Sequence, residues 1–311
     1  MNPSRRDFLK ATSAIAAALG FRVPELLAAG DRGDITKRPS VVWLQAQGCS
    51  GCSVSLLNSI LYGTADRLLQ ATMSLKYHPT LMVAAGQQAV RAAQAARDAK
   101  DYILVVEGAI PTAADGQYCY LWSGLTALEG VRQFQQNARF VVAVGTCAAF
   151  GGVPGAHPNP TGAKPLAEVL GSRQVINIPG CPAHPDWIVG TLAYLFKNHA
   201  PPPSDSLNRP RAYFGRRLHD LCPYWSNRRR SDGGHCLEDQ GCKGERCHAD
   251  CAKRKWNGGA ANAPGVSWCL AAGAPCLGCT EPGFPDGMSP FYGKAGKGQG
   301  RRYRRRKGWR G

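Results

Sequence analysis

"FVVAVGTCAAFGGV", residues 140–153, decides the fold. An unbroken apolar run rich in valine ends on Gly145, and a cysteine, Cys147, follows two residues later. A run without polar alternation is the pattern of a strand buried on both faces, as the strands of parallel sheets are. Four more runs share the character: "SVVWLQ" (40–45), "LMVAAG" (81–86), "YILVVEG" (102–108) and "VINIPG" (175–180). Helical patterns such as "QQAVRAAQAARDA" (87–99) separate them. Residues 39–200 therefore read as an α/β domain, a parallel sheet covered by helices on both faces.

Cysteines fall at consistent places in that rhythm. Cys49 and Cys52 follow the first strand, Cys147 the "VVAVG" strand and Cys181 the "VINIPG" strand. An open parallel sheet binds its ligands in the crevice beyond the carboxyl ends of the strands. Three strand ends thus bring four thiolates to one crevice, a donor set that suits zinc or an iron–sulfur cluster. Gly48, Gly51, Gly145 and Gly180 beside them let the backbone turn closely and aim N–H groups at sulfur. Four unrelated buried thiols would need the same coincidence three times. Cys119, in "GQYCYLWSG", has no such neighbour and reads as a small hydrophobe in a core or interface.

After "NHAPPPSDSLNRP" (198–210), a linker-like stretch, the strand–helix rhythm stops. From Tyr213 the chain is rich in Gly, Pro, Arg and Cys, with few apolar runs. Such a segment lacks a conventional core, and metal clusters can hold it together because their binding free energy becomes folding free energy. The candidate donors are His219 and Cys222, Cys236 and Cys242, Cys247 and Cys251, then Cys269, Cys276 and Cys279.

The 311 residues carry a formal charge of +17, unevenly placed. Residues 293–311 hold nine Lys or Arg and no acid, and a second group runs through Arg209, Arg211, Arg216, Arg217 and Arg228 to Arg230. The start, "SRRDFLKATSAIAAALG", pairs Arg5 and Arg6 with a weakly apolar run and small residues near Ala28 and Ala29. It reads as a twin-arginine export signal over residues 1–29, which sends the chain, already folded, to the periplasm or the outer face of the cytoplasmic membrane. No other stretch of about 18 apolar residues suggests a membrane span. Export argues against nucleic acid as the partner of the positive charge. The thirteen cysteines, an odd number at metal-type spacings, are not explained by disulfides alone.

Together these residues resemble the small, electron-transferring subunit of [NiFe] hydrogenases. The motifs that carry the resemblance are "GCSGCSVSLLNS" (48–59), "VEGAIP" (106–111), "AVGTCAAFGGV" (143–153), "PNPTGA" (158–163), "IPGCPAHPDW" (178–187), "RRLHDLCP" (216–223), "GCKG" (241–244) and "PCLGCTEPGFPD" (275–286). The resemblance implies a flavodoxin-like domain (39–200), an irregular cluster-stabilised domain (211–292), a basic tail (293–311) and three iron–sulfur clusters in a row. A proximal [4Fe–4S] cluster is implied on Cys49, Cys52, Cys147 and Cys181, and a distal one on His219, Cys222, Cys236 and Cys242. A medial cluster is implied on Cys251, Cys276 and Cys279. The nickel–iron site lies on a separate large subunit, in a heterodimer or higher oligomer, and electrons from H₂ leave through the distal end to a cytochrome or other respiratory acceptor. Glu107 is a candidate for proton movement or ligand orientation, beside the plain reading of a solvated or helix-capping carboxylate.

The chain departs from the family pattern at several points. Ser50, Gly51 and Ser53 stand where oxygen-tolerant relatives carry extra cysteines, so an ordinary proximal cluster is expected. The stretch between Cys222 and Cys236 is short and basic, which leaves Cys247 as a competitor of Cys236 for the distal site; the "GCKG" context favours Cys236. Cys269 occupies the place of a proline that precedes the closing Cys-x-x-Cys in three-iron members. It is expected to be a fourth ligand that makes the medial cluster [4Fe–4S]; the alternative is a [3Fe–4S] cluster with Cys269 as a spare thiol. The tail carries no hydrophobic anchor; it is either a peripheral contact for anionic lipid or an acidic partner, or simply solvated. Three rivals stand beside this reading: an iron–sulfur subunit of a related quinone-reducing complex, which shares the first half, a zinc–cysteine module for nucleic acid, and a cytoplasmic H₂ sensor, which should lack a twin-arginine signal.

Overall fold

The computed structural model describes residues 39–58, 73–171, 174–226, 236–258 and 265–292. The expected export signal, residues 227–235 of the basic stretch between Cys222 and Cys236, and the basic tail lie outside the described residues.

Strands β1 (Ser40–Gln45), β2 (Ser74–Tyr77) and β3 (Tyr102–Glu107) open the chain, with helices α1 (Gly51–Leu57) and α2 (Gly86–Ala99) between them. A small ribbon, β4 (Tyr120–Trp122) and β5 (Leu125–Thr126), leads into α3 (Ala127–Gln135). Then come β6 (Ala138–Val144), α4 (Gly145–Phe150), α5 (Leu166–Leu170), β7 (Ile176–Ile178) and α6 (Pro185–Asn198). Strands β1, β2, β3, β6 and β7 form one parallel sheet in the order β2-β1-β3-β6-β7, the flavodoxin-like order. The switch point lies between β1 and β3, which pair from Ser40↔Tyr102 to Gln45↔Glu107.

The apolar runs are buried on both sides, as their composition requires. Val41 and Trp43 of β1 join Ile103, Val105, Val142, Val144, Ile176 and Ile178 under α1 and α6. Val42 and Leu44 join Leu104, Val106 and Ala143 under α2, α3 and α4. Helix α2 offers only alanines inward, at Ala89, Ala93 and Ala96, one face of a helix with little bulk. Helix α3 starts on a capping box, Thr126 with Glu129, which satisfies two backbone donors that the first turn leaves open.

Two expectations are corrected. The run 81–86 is a loop that ends at Gly86, the first residue of α2, with Val83 fully exposed; the second strand is instead Ser74–Tyr77, short and alternating because it lies at the sheet edge and pairs only with β1. The stretch 198–210 is an anchored connection. Asn177 N donates to Asn208 O at 2.9 Å, and Arg209, 3 % exposed, is locked between Asp205 and Glu281.

Beyond α6 the chain is irregular, with short single turns and one ribbon, β8 (Trp256–Gly258) with β9 (Gly265–Ser267). Even so, it has apolar packing of its own. Tyr213, Phe214, Leu218, Trp268 and Leu270 are buried in the same core as Trp187, Ile188 and Leu192 of α6. Each such side chain contributes about 1.5–3 kcal/mol when fully buried. No helix of the described residues is long and apolar enough to cross a membrane.

Candidate metal centres

At the carboxyl ends of the strands, Cys49, Cys52, Cys147 and Cys181 come together. The charges of Cys147 and Cys181 act on Cys52, and that of Cys49 acts on both Cys147 and Cys181. Cys52 is buried, Cys147 half-buried, and Cys49 and Cys181 are exposed. Burial pushes the Cys52 thiol well up, with the Glu107 carboxylate adding to it, and pushes Cys147 up to about 11. Thiols crowded in this way hold their protons until a cation sits among them, and binding one releases those protons. The backbone is set for sulfur: Ala183 N lies 3.5 Å from Cys52 Sγ. Gly145, at φ +83°, lets the start of α4 pass so close to Cys52 that a Cβ there would stand 2.5 Å from its Sγ.

Glu107 is buried, and it caps α1. Ser50, the residue before that helix, has φ 59° and no capping side-chain bond. The Glu107 carboxylate at the end of β3 supplies what is missing: Cys52 N donates to Oε1 at 2.9 Å and Ser53 N at 3.2 Å. Trp43 Nε1 at 3.1 Å, Gln45 Nε2 at 3.2 Å and the Ser53 hydroxyl donate to Oε2. Behind it, His78 Nε2 contacts Ser53 Oγ at 3.1 Å, and burial depresses the imidazole from 6.5 to about 4. A carboxylate at the amino end of a helix is favoured by its dipole. Glu107 thereby ties Cys52 to two strands.

A second group forms around Cys242. The charge of Cys236 acts on Cys222, and both act on Cys242. His219 reaches the same place: a Cβ on Gly244 would stand 3.2 Å from His219 Nε2 and 3.5 Å from Cys242 Sγ. The His219 ring stacks on Trp225 at 4.4 Å and 12°, and Trp225 is partly exposed. The expected distal set is thus assembled near the surface.

The third group lies between these two. Cys251, Cys276 and Cys279 are joined by Cys269 and by Cys247. Cys269 is exposed, yet its thiol acts on both Cys251 and Cys279. Cys247 is buried here within the medial set, where its charge acts on Cys251 and Cys279, whereas the thiols that act on Cys242 are Cys222 and Cys236. The sequence offers this residue as a candidate donor and as a competitor for the distal site; its spacing of four before Cys251 is the signal that ties it to the medial set. Cys119 is only half-buried, and no other thiol acts on it.

The three groups touch in order. The Thr146 hydroxyl in α4 donates to Cys279 O, and the Cys279 thiol is acted on by Cys181. Lys243 N donates to Cys276 O at 2.8 Å, and the backbone of Cys276 hydrogen-bonds the Cys242 sulfur. Among the described residues no three His, Cys, Asp or Glu side chains stand close enough to hold a single metal ion. Ligands of a multi-iron cluster stand further apart than those of one ion, since each binds a different iron. The donor chemistry, thiolates with backbone N–H groups aimed at sulfur, fits such clusters.

A family model described as "NADH ubiquinone oxidoreductase, 20 Kd subunit" matches residues 49–195, and one for the C-terminal part of the NiFe/NiFeSe hydrogenase small subunit matches residues 214–292. The periplasmic [NiFeSe] hydrogenase small subunit of Desulfomicrobium baculatum is 39 % identical over 94 % of this chain and 99 % of its own length. The periplasmic [NiFe] hydrogenase small subunit 1 of Nitratidesulfovibrio vulgaris is 43 % identical over 93 % of each chain. Among solved structures, the oxidised [NiFeSe] hydrogenase from Desulfovibrio vulgaris Hildenborough superposes with a TM-score of 0.75 at 41 % identity, covering 84 % of this chain and 100 % of that one.

Proposed function

The chain belongs to the [NiFe] hydrogenase small-subunit family, and on that premise we propose that it carries electrons from H₂ oxidation through three iron–sulfur clusters to a respiratory acceptor. The family assigns it electron transfer alongside a large subunit that bears the nickel–iron site. The observation that carries the finer reading is the order of the three sulfur groups, joined by Thr146–Cys279 and Lys243–Cys276.

In this reading Cys49, Cys52, Cys147 and Cys181 hold a proximal [4Fe–4S] cluster, and His219, Cys222, Cys236 and Cys242 a distal one. Cys251, Cys276, Cys279 and Cys269 hold a medial [4Fe–4S] cluster. When bound, such clusters accept and release one electron at a time, at potentials set by ligand charge, hydrogen bonds and exposure. The protein's own part is positional. Glu107 fixes the turn that presents Cys52, the backbone N–H of Ala183 points at a ligand sulfur, and Trp225 covers His219 at the exit. The exposed Cys49 and Cys181, with the exposed apolar Val54 and Leu57 close to Cys49 in sequence and Val153 close to Cys147, form the face that meets the large subunit. The domain limits are 39–200 and 211–292, and the chain is exported folded by the twin-arginine signal to the periplasm, where its charge meets a redox partner or membrane surface.

The model for residues 49–195 explains why a quinone-reducing complex was a rival, since that half is shared; the match over 214–292 favours the hydrogenase. The test is copurification with the large subunit and EPR of the oxidised complex. Four-iron clusters at all three positions leave no three-iron signal in the native protein, and Cys269→Pro creates one. A native complex with a full three-iron signal would remove Cys269 from the ligand set.

A further inference from the structure

The distal group carries an aromatic stack on its outer side. His219 sits in the short turn Leu218–Leu221, and its backbone is held twice: His219 N donates to Gly244 O at 3.2 Å and Cys222 N to His219 O at 3.3 Å. The edge of its ring faces Gly244 and Cys242, where a Cβ on Gly244 would stand 2.9 Å from His219 Cδ2 and 3.5 Å from Cys242 Sγ. One face of the ring is covered by the Trp225 indole, 4.4 Å between centroids and 12° between planes. Trp225 belongs to the single helical turn Pro223–Ser226, and the residue before it anchors that turn inward. Tyr224 stacks at 6.0 Å and 9° on Trp268, which is buried. Successive side chains of a turn point about 100° apart. With Tyr224 directed into the core, Trp225 stays 37 % exposed.

A large ring left open at the surface marks a contact point, since Trp is enriched where proteins meet their partners. The relay read above ends at His219, so an electron leaves the molecule beside this ring. Electron tunnelling weakens steeply with distance. A flat conjugated acceptor stacked on the indole comes nearer to His219 than one held off by water. The charge on the same turn adds a preference of sign. Arg216 and Arg217 are exposed, and Asp220 faces both: Arg217 Nη2 lies 3.5 Å from Asp220 Oδ1, and Arg216 Nη2 donates to Asp220 O at 3.3 Å. One guanidinium charge is left over, and it favours an acceptor with negative charge at its rim.

We propose that Trp225 is the docking ring of the electron exit, and that the acceptor it fits presents a flat conjugated group with negative charge at its rim. This rests on the reading of His219, Cys222, Cys236 and Cys242 as a cluster site at the end of the relay. The ring gives the contact its shape, and Arg216 and Arg217 give it its sign.

The probe is anthraquinone-2,6-disulfonate, a flat ring system with a sulfonate at each end. Two electrons and two protons from one H₂ turn it into its hydroquinone, so the reaction closes without a further reactant. Its binding to the oxidised copurified complex is read by calorimetry without H₂, and its reduction under H₂ gives KM. Trp225→Ala is expected to weaken binding roughly tenfold, the scale of one ring-on-ring contact, and to raise KM in step. Trp225→Phe keeps a ring and should return most of the loss, while Arg217→Gln loses a smaller part. Ethane-1,2-disulfonate, which has the charge without the ring, should not displace the probe. The distal EPR couple and the iron per chain should match the native complex. Where Trp225→Ala loses distal iron, Trp225→Leu, which keeps an apolar cover without a ring, is read in its place. No binding by the native complex, or unchanged binding in the variant without the ring, overturns the proposal. So does displacement by ethane-1,2-disulfonate, which would leave charge alone as the contact. A native complex without a distal couple would instead sink the cluster reading beneath it, whatever the probe does.

Discussion

Glu107 accepts from five donors on four residues, Trp43, Gln45, Cys52 and Ser53, and none of them is near it in sequence. Of the readings the sequence left open, this geometry is that of a helix-capping carboxylate, and it is buried, not solvated. Glu107→Gln puts an NH₂ where a donor-accepting oxygen is needed. It should cost about 2–3 kcal/mol, on the scale of hydrogen bonds to a charged group, read as a lowered unfolding temperature and a less stable proximal cluster. His78 behind it makes the region acid-sensitive. Its imidazole is fully buried and titrates at about 4, whereas the unfolded chain takes up that proton near 6.5. Between those values the unfolded state binds more protons, so stability is full above 6.5 and falls as pH drops toward 4. The loss reaches about 3 kcal/mol at 1.36 kcal/mol per unit. Chemical denaturation across that window should show the slope, and His78→Gln should flatten it.

Helix α4 shows how an element places its ligand. Strand β6 ends at Val144, Gly145 turns with φ +83°, and Cys147 lies in the first turn of the helix. Gly145→Ala meets both a strained backbone and the Cys52 sulfur. It should destabilise by about 3 kcal/mol or more and lower iron and sulfide content at the proximal site while the medial and distal signals persist. This part was legible in the sequence because a valine run, a glycine and a cysteine within eight residues state strand, turn and ligand together. The edge strand was not legible: Ser74–Tyr77 has only two apolar residues, and the more apolar 81–86 run drew the assignment although it pairs with nothing. Nor was the seat of Arg209, because its partner Glu281, unlike the local Asp205, becomes a neighbour only when the C-terminal part folds back. The grouping of the cysteines was legible through motif spacing, whereas the contact of Cys247 with Thr280 depends on packing that spacing does not encode.

At the scale of the whole molecule, two buried polar links hold the irregular part to the sheet domain. Trp187 Nε1 in α6 donates to Asp250 at 2.7 Å, and Arg254 bridges Asp250 and Asp186. Arg209 pairs with Glu281 at 3.0 Å, with 3 % and 9 % of the side chains exposed. Arg209→Met leaves that carboxylate buried without its partner and should cost about 3–5 kcal/mol, measured as lost thermal stability and weaker cluster retention in the C-terminal part. The same folding-back sets the three sulfur groups in line, from the exposed Cys49 and Cys181 through Cys279 and Cys276 to His219 and Trp225. That line is the central claim, and the visible absorbance of the copurified complex under H₂ tests it most directly. The complex is expected to be brown, with a broad iron–sulfur absorbance that bleaches on H₂ and returns with an oxidising dye. A colourless complex, or a brown one whose absorbance H₂ leaves unchanged while the large subunit holds nickel, would contradict it.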